Sequence, residues 1–193
     1  MDTNRRSLLA AVPALGLASL LGGCAARTGS IATPGQLYRV DEEAVIRAAA
    51  RAIVAEDPIA TLITVDSELM PRARSVEVRG EPGDGAFWIF TRRASRKVAQ
   101  VRSNPNAALH FAFDDSANGN EGAFYASFMG RVTVHDGAAV PAAVRPSDEI
   151  VRQRWPNYPA DFAGLRFQPR WLEVIGKGVR ASDDKWQPQG VIL

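Results

Sequence analysis

The stretch Phe90-Thr91-Arg92-Arg93-Ala94-Ser95-Arg96-Lys97 concentrates the groups that hold an anion. An aromatic strand ends in Thr91, two arginines follow, and Ser95 opens a helix that carries Arg96 and Lys97 in its first turn. Cations there are electrostatically unfavourable, because a helix N-terminus already bears partial positive charge. Free helix N–H groups, two hydroxyls and clustered cations make a phosphate site, and a phosphate would turn their repulsion into attraction. A second basic group, Arg72-Ala73-Arg74, lies on the preceding strand. Strand alternation sets Arg72 and Arg74 on one face. A Gly/Pro/Asp loop, Gly80 to Gly85, joins the two strands as a hairpin, so they are expected to be neighbours.

Other chemistry-bearing residues give weaker signals. His110 and His135 read as strand residues. Asp114-Asp115 and Asp183-Asp184 lack a third carboxylate at metal-binding spacing, so no metal is expected. Trp155, Trp171 and Trp186 fall in the last third and read first as core. No side chain identifies itself as a catalyst.

The elements that position these groups follow from patterning. Asp41 to Glu56 reads as a helix capped by Asp41, with Val45, Ala48, Ala49, Ala52 and Ile53 at helical spacing. Strands are expected at Ile59–Val65, Arg72–Arg79, Ala86–Thr91, Ala107–Phe113, Ala123–His135 and Arg170–Arg180, with short helices at Ser95–Ser103 and around Pro146–Arg154. Short connections exclude parallel crossover units. The fold class is mainly β with short helices, α+β in layout: a small antiparallel barrel with helices at its ends and corners.

The amino terminus reads as an export signal. Asn4-Arg5-Arg6-Ser7-Leu8-Leu9 resembles a twin-arginine motif. The apolar run Leu8–Leu21 is shorter than the roughly 20 residues of a membrane span. It ends in Leu21-Gly22-Gly23-Cys24, which resembles a lipobox, so Cys24 is expected to carry lipid and to anchor the chain on the periplasmic side of a membrane. The organisation expected is signal peptide 1–23, tether 24–37 and one domain 38–193. A twin-arginine route carries folded proteins, many of them loaded with a cofactor beforehand. Cys24 is the one cysteine, so a disulfide within the chain and a cysteine-cluster zinc site are both excluded. A net charge of +2 over 193 residues gives no reason to expect nucleic acid as partner.

Taken in order, Ala60–Val65, Pro71-Arg72-Ala73-Arg74-Ser75, Phe87–Thr91, Ser95-Arg96-Lys97-Val98 and Asn104-Pro105-Asn106-Ala107 resemble the pyridoxamine 5′-phosphate oxidase-like split barrels that bind FMN, in particular their general stress protein branch. The resemblance implies that Arg74, Ser95, Arg96 and Lys97 hold the FMN phosphate with Thr91 in support. It implies that Ser75, Val76 and Glu77 run along the flavin ring, and that the protein is a homodimer with FMN in the interface. Arg79 stands where the oxidase has Lys, and Tyr125 about where it has a ring-contacting Gln. The oxidase's Arg-x-His substrate motif is absent from Gly178-Val179-Arg180-Ala181-Ser182, so the resemblance does not extend to oxidising a vitamin B6 phosphate. The function expected is an exported FMN-binding oxidoreductase acting on a small molecule. The alternatives are a non-catalytic flavin or haem store and a cofactor-free lipoprotein.

Overall fold

The computed structural model describes residues 37–81, 85–114, 123–180 and 187–193. The expected leader, Cys24 and all of the tether but Leu37 lie outside the described residues, as do Asp115, Asp183, Asp184 and Trp186.

Helix α1 (Glu43–Glu56) precedes strands β1 (Ile59–Val65), β2 (Pro71–Glu77), β3 (Arg79–Gly80) and β4 (Phe87–Arg92). Helix α2 (Arg96–Ser103), strands β5 (Asn106–Asp114) and β6 (Ala123–Asp136), helix α3 (Asp148–Arg154), and strands β7 (Phe162–Ile175) and β8 (Gln189–Ile192) complete the order. Every strand pairing is antiparallel. The sheet runs β2-β1-β5-β6-β7-β4-β3, with β8 also paired to β7. It curls into a half-barrel, because β2 and β4, near opposite ends of that order, touch.

Alternation along the strands builds the interior. Ala60, Leu62 and Thr64 of β1, Leu109 and Phe111 of β5, and Ala126 and Phe128 of β6 all point inward and are buried. Helix α1 closes the barrel with Ile46, Ala49, Ala50 and Ile53, spaced at i, i+3, i+4 and i+7. Fully burying Ile46 and Ile53 contributes roughly 1.5–3 kcal/mol each. A second cluster, Trp88, Val140, Val144, Trp155 and Phe162, covers the outer side of β4, so that strand is buried on both faces.

Three expectations are corrected here. Asp41 does not cap α1, which starts after Glu42 with no side-chain cap. The Asp41 carboxylate instead accepts from the Arg180 backbone N–H at 2.6 Å and from Gln189 Nε2 at 2.6 Å, and it pairs with the Arg180 guanidinium. This clamp joins the start of the domain to its last strand, and the Arg180 backbone hydrogen bond holds the Asp41 carboxyl below the usual carboxylate range. The last long strand begins at Phe162 rather than Arg170 and ends at Ile175, and β8 follows it. Finally, β2 and β4 are not hairpin neighbours: β2 pairs with β1, while β4 pairs with β7 and with the two-residue β3.

Candidate anion and ring-binding site

The site lies where the free edge of β2 faces the start of α2. β2 is an edge strand, so alternate backbone N–H and C=O groups along it have no ladder partner. Chain direction at α2 is set by Ser95, the N-cap, in extended conformation (φ −71°, ψ 148°). Its hydroxyl does not cap the helix, and the first turn carries no acidic residue. Thr91 Oγ1 donates to Ser95 Oγ at 3.3 Å, and Lys97 Nζ donates to Thr91 Oγ1 at 3.0 Å. The two hydroxyls and the ammonium therefore form one chain at the helix start.

Arg74 reaches the same place from β2. Its Nη1 donates to Thr64 Oγ1 at 2.6 Å and its Nη2 to Gln100 Oε1 at 2.8 Å, while Thr64 Oγ1 donates to Gln100 Oε1 at 2.7 Å. These neutral groups fix the guanidinium without neutralising it. Among the described residues, none of Arg74, Arg96 and Lys97 forms an ion pair. Burial, and then the nearby Arg96 charge, pushes the Arg74 pKa down. Burial, and then Arg74, does the same to Lys97. A dianion placed among them would relieve both effects.

A cleft of about 560 Å³ opens between Arg74, Ser95, Arg96, Lys97 and Gln100. Lys97 also borders a second, narrower cleft of about 240 Å³, which Ser75, Val76 and Glu77 flank on one side and Ile89, Phe90 and Trp155 on the other. The first is cationic and open. The second is slot-like, with an aromatic wall and a strand edge.

The structure thus brings together Arg74, Thr91, Ser95, Arg96 and Lys97, and sets Ser75, Val76 and Glu77 along the adjoining slot. Val76 has its side chain in the core, and the Glu77 carboxylate accepts from Arg154 at 3.0 Å. Arg72 is different. It was grouped with Arg74, but its Nε donates to Asp66 at 2.6 Å, so it already has a carboxylate. Sequence reasoning missed Thr64 and Gln100, which hold Arg74. The available signals were a polar residue at an inward position of β1 and a glutamine one helical turn beyond Arg96. It also missed Ile150 and Arg154 of α3, which line the slot with Trp155.

Both histidines are strand residues away from this site. His110 Nδ1 lies 2.6 Å from Ser127 Oγ, with burial lowering its pKa, and the His135 ring packs 4.9 Å from Trp88. Among the described residues no group of three metal-ligating side chains occurs.

An antiparallel half-barrel with a cationic cleft at an edge strand and a slot beside it defines a split-barrel fold. The sequence matches the family described as "Pyridoxamine 5'-phosphate oxidase" over residues 46–176, and the chain belongs to that family. A pyridoxine/pyridoxamine 5'-phosphate oxidase from Polaromonas sp. is 47% identical over 58 residues, 30% of this chain and 26% of that protein. The chain therefore matches only about a quarter of that relative's length. Among solved structures, a heme binding protein from Mycobacterium smegmatis superposes with a TM-score of 0.59 at 18% identity, covering 80% of this chain and 60% of that one. General Stress Protein 26 from Bacillus anthracis superposes with a TM-score of 0.54 at 15% identity, covering 76% of this chain and 98% of that one. These likenesses establish the split-barrel fold.

Proposed function

We propose that this chain is an exported, lipid-anchored FMN-binding protein that exchanges electrons with a small molecule. The observation that carries the reading is the cluster Arg74, Arg96 and Lys97. Of the four cations that line this cleft, Arg72 is paired with Asp66, while Arg74 and Lys97 meet only neutral partners and Arg96 forms no ion pair among the described residues. Membership of the oxidase family supports FMN as the ligand.

In this reading Arg74, Ser95, Arg96 and Lys97 hold the phosphate. Thr91 keeps the Lys97 ammonium in place, and Thr64 and Gln100 keep the Arg74 fork aimed into the cleft. Ser75, Val76 and Glu77 lie along the ring, opposite Phe90 and Trp155, which shield it from water. FMN supplies reversible transfer of one or two electrons, and the protein positions and tunes it. A haem occupant is the second reading, supported by the solved heme binding protein of the same fold.

The chromophore released from the denatured protein separates the two: a flavin spectrum supports the first reading and a Soret band the second. Titration then tests the clamp. A charge-assisted hydrogen bond contributes roughly 1.5–3 kcal/mol, so Arg96→Ala should weaken FMN binding by about one to two decades. Riboflavin, which lacks the phosphate, should bind native protein poorly and respond little to that substitution. Equal binding of FMN and riboflavin would refute the clamp.

A further inference from the structure

A third cavity lies away from the cationic cleft and its adjoining slot, and its origin is the path of β7. Residues Phe162–Phe167 of β7 pair with β4, and Trp171–Val174 pair with β8. The Arg170 carbonyl still accepts from the Leu193 N–H at 2.8 Å. Gln168 and Pro169 are left without a strand on that side, and Pro169 has no N–H to offer one. On the other side Gly130 lets β6 cross tightly, since a Cβ there would lie 2.1 Å from the Gln168 carbonyl oxygen.

Helix α1 lies over this gap and roofs a cavity of about 590 Å³. The roof is the stripe Ala50, Arg51 and Val54. The floor is Phe87, Phe128 and Leu172, side chains that belong to the barrel core. Gly80 and Gly85 border it, and a Cβ built on either would meet nothing within 4 Å. The volume suits a small organic ligand.

The charged groups at the rim are not equivalent. Arg47 Nε donates to Glu43 at 2.7 Å and its Nη2 to the Ile192 carbonyl at 3.0 Å. The Glu81 carboxylate accepts from Arg166 at 2.7 Å and from Trp88 at 3.1 Å. Arg51 alone among these side chains is exposed and has no partner among the described residues. Among the described residues, the rim thus has one uncompensated cation, Arg51, over an apolar floor.

We infer that this gap in the barrel is a second binding site, for an apolar molecule with one anionic head group. The tail packs on Phe87, Phe128 and Leu172, and the head pairs with Arg51. The site is separate from the cationic cleft, and the inference does not depend on FMN.

The experiment titrates the purified full-length protein with anilinonaphthalene sulfonate and displaces it with decanoate, decanol or decyltrimethylammonium. Saturable binding is expected at one site per chain, with decanoate the strongest competitor. Arg51→Gln should weaken decanoate about tenfold, the loss of one charge-assisted contact, and leave decanol unchanged. Gly80→Leu, at a position with room and an ordinary backbone conformation, should fill the cavity and abolish displaceable binding. Both variants should keep the native thermal stability and far-ultraviolet spectrum, which shows that they fold. Non-saturable probe binding, decyltrimethylammonium competing as well as decanoate, or native decanoate affinity in both variants would each overturn the inference.

Discussion

Arg74 of β2 donates to Gln100 of α2 across 2.8 Å, although the two stand 26 residues apart in the chain. This contact ties the edge strand to the helix that carries Arg96 and Lys97, and it does so with a neutral acceptor. Gln100→Glu would set a carboxylate among the cations and supply in advance the negative charge the cleft lacks. Its FMN dissociation constant should rise at least tenfold, while the melting temperature of the FMN-free protein should rise. Gln100→Leu removes the acceptor without adding charge, and Thr64 still holds Arg74, so its effect on affinity should be smaller and its melting temperature no higher. Fluorescence titration and thermal melts of the two variants check this. If both weaken FMN equally, Gln100 acts through shape alone.

A second prediction concerns acidity. Glu173 is half-buried on the outer face of the sheet, in register with Ser127, and His110 is in register with Ser127 on its other side. Burial raises the Glu173 pKa. Burial and then the Glu173 charge raise that of Tyr125. The folded chain holds the Glu173 proton more tightly than the unfolded chain does. That contribution to stability is full below the ordinary glutamate value and is lost as pH rises through the folded-state value. Glu173→Gln should therefore raise the melting temperature at about pH 8 and leave it nearly unchanged at about pH 4. His110 works in the opposite sense, because burial lowers its pKa: its contribution is present above the ordinary histidine value and is lost as pH falls through that range. Melts of Glu173→Gln and His110→Gln across pH separate the two. An equal gain for Glu173→Gln at both pH values would contradict the assignment.

The positions of most strands, and the chemistry of the cationic cluster, were legible because both are local. The apolar, β-branched run Ile59–Val65 and the Ser95-Arg96-Lys97 turn are written in neighbouring residues. What was not legible was set by distant partners. Asp41 looks like a helix cap, but Arg180 and Gln189 compete for its carboxylate and win. Pro169 can offer no ladder N–H, yet β7 runs through it, because Pro169 sits at the gap between β4 and β8, where no ladder bond is needed. A Cβ at Gly164 would lie 2.9 Å from both Trp88 and Val140, so close packing asks for glycine within this continuous strand. The convergence of β2 on the helix start was expected for the wrong reason. Curling of the whole sheet, rather than a hairpin, brings Arg74 to Lys97.

The proposed export rests on the sequence of residues 1–24. Cys24→Ala should give a protein that no longer partitions into detergent, and replacing Arg5 and Arg6 together by Lys should leave precursor in the cytoplasm. Fractionation and detergent phase separation measure both. Undiminished membrane association of Cys24→Ala would remove the lipid anchor from the proposal.

The last prediction concerns self-association, which family resemblance implies and the outer sheet face supports. Strand register places Ile63, Ala108, Met129 and Trp171 side by side on that face, and Thr61, His110, Ser127 and Glu173 form the next row. Ile59 and Ile192, at its margins, are 46% and 43% exposed. A broad, largely apolar face with a polar row can bury the roughly 1,600 Å² of a standard interface. Ala108 lies between Ile63 and Met129, so Ala108→Arg would place a charge where a partner would have to desolvate it without a counter-ion. Light scattering of the native domain should give a dimer mass, and Ala108→Arg should give a monomer with an unchanged far-ultraviolet spectrum. Since the resemblance implies FMN in the interface, the monomer should also bind FMN less tightly, even though Arg74, Ser95, Arg96 and Lys97 are untouched. Arg96→Ala should do the reverse, losing FMN while leaving the dimer mass of the FMN-free protein as it is in native protein. A dimer that survives Ala108→Arg would place self-association elsewhere on the molecule.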